Sequence, residues 1–177
     1  MVAVSNATPL IYLAKANCLE LLERTYRQVY ASPDVWREII QPIFSTRPIP
    51  EDVPMILKAR SDGWLKLRDL KTTNALAIRD ELISRGLGVG DANSVALAKE
   101  MNALFLANDE SAILAARRYG VETRWFTEML HDALRMEHLK NVEEYTSLLD
   151  ECIARGLYMS KRARHDAIRT AERIVAR

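Results

Sequence analysis

Five oxygen-bearing side chains stand where a chain of alternating strands and helices would gather them: Asn6, Glu38, Asp91, Asp109 and Glu110. Asn6 follows the short apolar run Val2–Val4, and Asp109 with its neighbour Glu110 follows Leu104–Ala107. Asp91 opens an apolar helical pattern, and Glu38 lies on the margin of another. In a parallel sheet the positions just past the carboxyl ends of the strands share one crevice, so Asn6 and Asp109 meet there, with Asp91 and Glu38 in reach. Clustered oxygen donors hold Mg²⁺ or Mn²⁺, and such ions orient a water and stabilise charge on a leaving oxygen. The chemistry open to this set is metal-assisted hydrolysis of a phosphodiester. Each member also has a plain structural use. Asp91 and Asp109 can cap helices, worth about 1 kcal/mol each. Asn6 can satisfy a turn, and Glu38 can be a solvated helix acid.

Competing motifs are poorly formed. Gly86, Gly88 and Gly90 alternate in a flexible approach to Asp91, but no Lys-Ser/Thr follows and no first strand–helix unit opens there, which excludes phosphate-loop and dinucleotide readings. His131 and His138 are seven residues apart and His165 is remote, so no zinc spacing is present. No nucleophile elbow supports a Ser–His hydrolase.

The elements that must position these residues alternate. Val2–Val4 reads as a strand, with Thr8 as N-cap and Pro9 at the first helical position. A short helix covers Leu19–Glu23, a strand Val29–Ala31, and Ser32-Pro33 repeats the cap-then-proline signature ahead of the helix with Val35, Ile39 and Ile40. Residues 42–50, with three prolines, read as a loop. A helix then ends before Gly63, Trp64–Arg68 alternates as an exposed or edge strand, and Leu76–Ile83 is helical. The helix from Asp91, the strand 103–107, the alanine-rich helix 111–119 and a last strand 121–125 complete the order. Strand–helix repetition of this kind predicts an α/β fold with a mostly parallel sheet flanked by helices. From Phe126 onward the pattern is helical only, with Asn141 and Glu144 as a capping box and Ser160 starting the last helix. The division expected is a core over 1–125 and a helical C-terminal extension over 126–177 packed on the same domain.

The 177-residue chain has a formal net charge of +1, which does not advertise a general nucleic-acid binder. Residues 161–177 are the exception, with six Lys or Arg against two acids. That patch suits phosphates, an acidic partner or simply water. A regulator reading DNA through the last helix is disfavoured, because no helix-turn-helix partner precedes it. No apolar run spans a membrane and no signal peptide is evident; with Cys18 and Cys152 read as ordinary reduced thiols, the expected location is cytoplasmic.

Together, Val4-Ser-Asn-Ala-Thr-Pro-Leu10, Ser32-Pro33 through Glu38-Ile39, Gly63-Trp64, Gly86 to Asp91 with Ala96-Leu-Ala98, and Leu106 to Asp109 resemble the PIN-domain ribonuclease superfamily. The likeness is to the VapC-like branch that carries the domain of unknown function 3368, over residues 2–124. The resemblance implies a three-layer fold and a Mg²⁺- or Mn²⁺-dependent ribonuclease acting on single-stranded or structured RNA. It further implies a toxin held by a small antitoxin, and a homodimer. By position it assigns catalysis and metal binding to Asn6, Glu38, Asp91 and Asp109, with Glu110 as a further ligand. Thr8 would be a hydroxyl near the first ligand, and Lys66, Arg68 and Arg85 candidates for positioning the RNA backbone. Asn6 stands where the superfamily usually has Asp, Asn93 where this branch often has Glu, and Asn108 replaces one of two adjacent acids. Trp125 and Phe126 are bulky where small residues are usual. An amide ligates Mg²⁺ without adding negative charge, so three carboxylates hold the ion more weakly than four. The alternatives are an impaired protein-binding module of the same fold and a nuclease acting on single-stranded DNA or flaps.

Overall fold

The computed structural model describes residues 2–45 and 48–176. Thr46 and Arg47, within the stretch expected as a loop, and Arg177, one of the six basic residues of the C-terminal segment, lie outside the described residues. In chain order the elements are β1 (Val2–Ser5), α1 (Ala7–Lys15), α2 (Glu20–Tyr26), β2 (Gln28–Ala31), α3 (Pro33–Ile40), α4 (Pro42–Ser45), α5 (Asp52–Ser61) and β3 (Leu65–Leu67). There follow α6 (Thr73–Ser84), α7 (Val89–Met101), β4 (Leu104–Ala107), α8 (Glu110–Arg118), β5 (Thr123–Trp125), α9 (Phe126–Arg135), α10 (Val142–Ala154) and α11 (Lys161–Val175).

The five strands form one sheet in the order β3-β2-β1-β4-β5. Every pairing is parallel, with Ala3 opposite both Val29 and Leu104. The chain runs outward from β1 through β2 to β3, then returns to the other side of β1 with β4. The order therefore reverses between β1 and β4, and this switch point is where an open α/β sheet leaves a crevice at its carboxyl edge.

Alternation along the strands sends side chains to two cores. Ala3, Leu104 and Leu106 face a cluster built with α1, α2, α3, α5 and the three C-terminal helices, through Leu10, Tyr26, Ile39, Ile56, Met129 and Leu149. Val4, Phe105 and Ala107 face the other, built with α6, α7 and α8. This is the expected three-layer arrangement with a helical C-terminal extension. All four β4 residues are buried, as a short apolar run in a covered parallel sheet must be. Ala92 to Ala98 of α7 are buried without interruption, so this helix lies inside the domain rather than on it.

Several local expectations are revised. Thr8 is not the cap of α1: the helix begins at Ala7, with Asn6 in the extended N-cap conformation and its side chain turned elsewhere. The three glycines are not one flexible approach either. Gly86 has φ +90 and closes α6, Gly88 is the N-cap of α7, and Gly90 is already helical. Asp91 therefore sits at the third helical position, free of the capping role. Part of the 42–50 stretch is the short α4. Asn141 accepts from the Glu144 amide as expected, but Glu144 reaches back to Lys140 N instead of closing the reciprocal bond.

The last helix has a thin apolar face: only Ala167 and Ala171 are buried. Polar fastenings supplement it. Arg164 donates two hydrogen bonds to Asp150 of α10, at 2.6 and 2.7 Å. The His131 ring of α9, stacked on Tyr145 at 4.9 Å, bonds through Nε2 to Ala167 O at 2.9 Å. Burial pushes the His131 pKa down, so this contact is made by the neutral ring near pH 7. Among the described residues no helix is long and apolar enough to cross a membrane.

Candidate active site

At the switch point, the turn from β1 into α1 carries Asn6. Its backbone N–H donates to Leu106 O at 3.1 Å, which continues the β1–β4 ladder one residue beyond the strand and holds Asn6 against the end of β4. Asn6 is 5% exposed. Its Nδ2 donates to Asp91 Oδ1 at 3.0 Å, joining the first strand's end to the first turn of α7. A carboxylate can only accept at this pH, so the amide nitrogen must face it and Oδ1 must point away. That Oδ1 is buried and accepts no hydrogen bond among the described residues.

Asp91 is half-buried, and its pKa is raised. Burial is the main cause, partly offset by the Asn6 hydrogen bond and reinforced by the negative charge of Asp109. Asp109 follows β4 and is the N-cap of α8, its Oδ1 accepting from Ala112 N at 2.9 Å. Capping occupies one oxygen and leaves the other carboxylate oxygen available. Glu38 is presented by α3, whose Ser32 cap accepts from Val35 N at 3.3 Å. Although the residue is exposed overall, protein closes around its carboxyl, and this burial followed by the charge of Asp91 raises its pKa. Gly90 lies beneath it: a Cβ there would stand 3.6 Å from Glu38 Oε2 and 3.7 Å from Val35 Cγ2.

Asn6, Glu38, Asp91 and Asp109 thus form one electrostatic neighbourhood assembled from β1, α3, α7 and the end of β4. Two of its acids are shifted upward, by burial first and by like-charge repulsion second. Among the described residues no three His, Cys, Asp or Glu side chains converge closely enough to enclose a metal ion as they stand. The donor set nevertheless fits a hard divalent cation: it is all oxygen, three members are carboxyls, and the Asn6 carbonyl oxygen is a buried acceptor with nothing to accept.

The remaining candidates are placed less centrally. Glu110 is exposed at the start of α8, beside Asp109. Thr8 is half-buried in the first turn of α1. Lys66 is exposed on the edge strand, Arg68 faces Glu100 of α7 at 4.0 Å, and Arg85 pairs with Glu81 at 2.7 Å. Among the described residues no hydrogen bond or ion pair joins Lys66, Arg68 or Arg85 to the acids.

Asp34 was missed. In the first turn of α3 it accepts from Asn93 Nδ2 at 2.7 Å and pairs with Arg37 at 2.7 Å. Asn93, also bonded to Val89 O, uses this contact to tie α7 to the helix bearing Glu38. The only sequence signal for it is a first-turn acid, which reads as an ordinary dipole partner.

Comparison with solved structures finds similar chains at low identity. A PilT N-terminus domain protein from the hyperthermophilic archaeon Sulfolobus solfataricus matches at 19% identity with TM-score 0.47, over 76% of this chain and 94% of that one. VapBC2 from Rickettsia felis, solved bound to a promoter DNA fragment, matches at 18% with TM-score 0.52, over 71% of this chain and 98% of that one. No curated protein matches significantly. The family described as DUF3368, a PIN domain, matches residues 2–173, which includes nearly all of the C-terminal helices. With the site at the switch point of a five-stranded parallel sheet and the family match spanning almost the whole chain, this protein belongs to the DUF3368 family of PIN domains.

Proposed function

We propose that this protein is a Mg²⁺- or Mn²⁺-dependent ribonuclease of VapC-like type, with Asn6, Glu38, Asp91 and Asp109 as its centre. The observation that carries the reading is the Asn6–Asp91 hydrogen bond at the switch point, with Asp109 close enough to act on Asp91 and Asp91 on Glu38. Asn6 Oδ1 and the three carboxyls would hold the cation, with Glu110 at the edge. When bound, the ion supplies Lewis acidity and lowers the pKa of water. The chain's own residues do the rest. Asn6 fixes the Asp91 rotamer through Nδ2, the Asp109 cap fixes its carboxyl against α8, and Ser32 with Asn93 holds α3 so that Glu38 faces the crevice. Exposed cations, among them Lys66, meet the phosphates. The resemblance to VapC-like proteins adds the proposal of a toxin restrained by a small antitoxin, acting as a homodimer in the cytoplasm.

The test is RNA cleavage by the purified protein in Mn²⁺, Mg²⁺ and EDTA, beside Asp91→Asn. Cleavage that needs the divalent ion and disappears in D91N is expected. Cleavage of single-stranded DNA in preference to RNA would favour the flap-type alternative. A specific observation favours one second reading, a non-catalytic binding module: the Asn6 amide nitrogen is itself a donor to Asp91 Oδ1. Absence of both cleavage and calorimetric metal binding in the folded protein selects it.

A further inference from the structure

A cleft of about 560 Å³ reaches the candidate site at Asp109 and Glu110, and is lined also by Trp125, Tyr158 and Ser160. Tyr158 lies between α10 and α11 and is 87% exposed. An exposed aromatic ring of that size is neither core nor cap, and nothing in the fold requires it. Its backbone is held at the cleft, since Asn108, next to Asp109, reaches Tyr158 O with its Nδ2 at 3.5 Å. Trp125, at the end of β5, lines the same cleft; it is half-buried, and its backbone N–H donates to Glu128 Oε2 at 2.8 Å. Exposed Lys161 and Arg162 follow Ser160 in the chain.

We propose that this cleft is a base-stacking subsite, in which Tyr158 and Trp125 receive an unpaired nucleobase next to the phosphodiester held at the acids. The inference deepens the nuclease reading and rests on it for which phosphodiester is meant. Three features point to a nucleobase. The cleft volume is that of a small-ligand site. Its walls join two aromatic rings to polar groups on Asn108, Thr127 and Ser160, which suits a flat, apolar-faced, polar-edged ligand. Acids line it on the α8 side, through Asp109 and Glu110, and exposed Lys161 adjoins its lining residue Ser160 in the chain, a cation available to the strand's phosphates. The C-terminal extension is thereby part of the substrate site.

Binding in EDTA tests this apart from cleavage, using the full chain and a short fluorescein-labelled single-stranded RNA of mixed sequence. Tyr158→Ala is expected to weaken binding about fivefold or more, the usual effect of losing one stacked base. Tyr158→Phe and Tyr158→Trp should retain it. Because Tyr158 is so exposed, its truncation leaves the core untouched. Trp36 and Trp64 are buried at 7% exposure each, so quenching of tryptophan emission by unlabelled RNA should come from Trp125 and vanish in Trp125→Phe. Single-stranded DNA should respond to Y158A in the same way, because stacking uses the base and not the sugar. Parental affinity in Y158A, quenching that persists in W125F, or no binding of either single strand overturns the inference. RNA bound through Tyr158 but never cleaved in Mn²⁺ sinks the nuclease reading alone. Cleavage and binding both indifferent to Y158A sink the subsite alone.

Discussion

Asn6→Asp separates the electrostatic account of the site from a purely structural one. In the parent, Asn6 Nδ2 donates to Asp91 Oδ1 across 3.0 Å. An aspartate in the same rotamer would set two carboxylates in contact, both partly desolvated. Two like charges about 4 Å apart repel by roughly 4 kcal/mol at an effective dielectric of 20. Rotation of the new side chain or a shared proton reduces that, leaving a loss of about 2–4 kcal/mol once the missing hydrogen bond is included. For a chain of this length the melting temperature should fall by roughly 5–12 °C in EDTA. A cation between the carboxylates reverses the sign, and a ligand at a hundred times its dissociation constant restores about 2.7 kcal/mol. Thermal melts of parent and N6D in EDTA and in millimolar Mn²⁺ or Mg²⁺ measure both effects. Expected is a variant less stable than the parent without divalent ions and raised more than the parent with them, together with faster RNA cleavage. An N6D protein that melts at the parental temperature in EDTA and ignores Mn²⁺ would refute the placement of these two groups and the reading of Asn6 as a ligand.

Asp91→Asn removes a carboxylate whose pKa is raised in the folded state. A group that holds its proton more tightly when folded makes stability fall as pH rises from its ordinary value through its raised one, so D91N should be more stable than the parent in EDTA at pH 7 and show a flatter stability–pH profile above pH 4, read by denaturant melts. Ser32→Ala deletes the cap of α3 and is expected to cost about 1 kcal/mol, or roughly 2–4 °C, with a loss of cleavage because Glu38 rides on that helix. Asn93→Ala strips a buried donor from Asp34 and Val89 O and should destabilise by about 1–3 kcal/mol in urea unfolding. Gly90→Ala meets Glu38 and Val35 at ordinary contact distance and puts a better helix former in α7, so it should fold with a melting temperature equal to or up to about 3 °C above the parent's.

Much of the fold was legible because its signals are local. Val2–Val4 and Leu104–Phe105–Leu106–Ala107 are too short for helices and too apolar for loops, and both are central strands, buried apart from Val2. Ser32-Pro33 and Asp109 announced helix starts that the caps bear out. Where a helix begins among several acceptable caps was less legible. Thr8 before Pro9 has the composition of a cap, yet β1 continues into a ladder bond at Asn6 and the helix starts two residues sooner. The glycine run misled in the same way: Gly88 and Gly90 share Gly86's composition, but only Gly86 takes a left-handed conformation.

By itself the sequence determined the period of each segment, and with it the order of strands and helices and the few acids that could lie at the carboxyl edge of a sheet. It also determined that position 6 is an amide, and hence that the cluster carries one negative charge fewer than it might. The tertiary structure alone decided that the strand order reverses between β1 and β4, because pairing partners far apart in sequence are chosen by packing on both faces and not by local preference. It decided that Asn6 donates to Asp91, 85 residues on, and that Asn93 braces the helix of Glu38. Hydrogen bonds of that kind depend on angstrom-scale placement, which no periodicity encodes. It also brought Tyr158, from the turn between the last two helices, to a cleft beside Asp109.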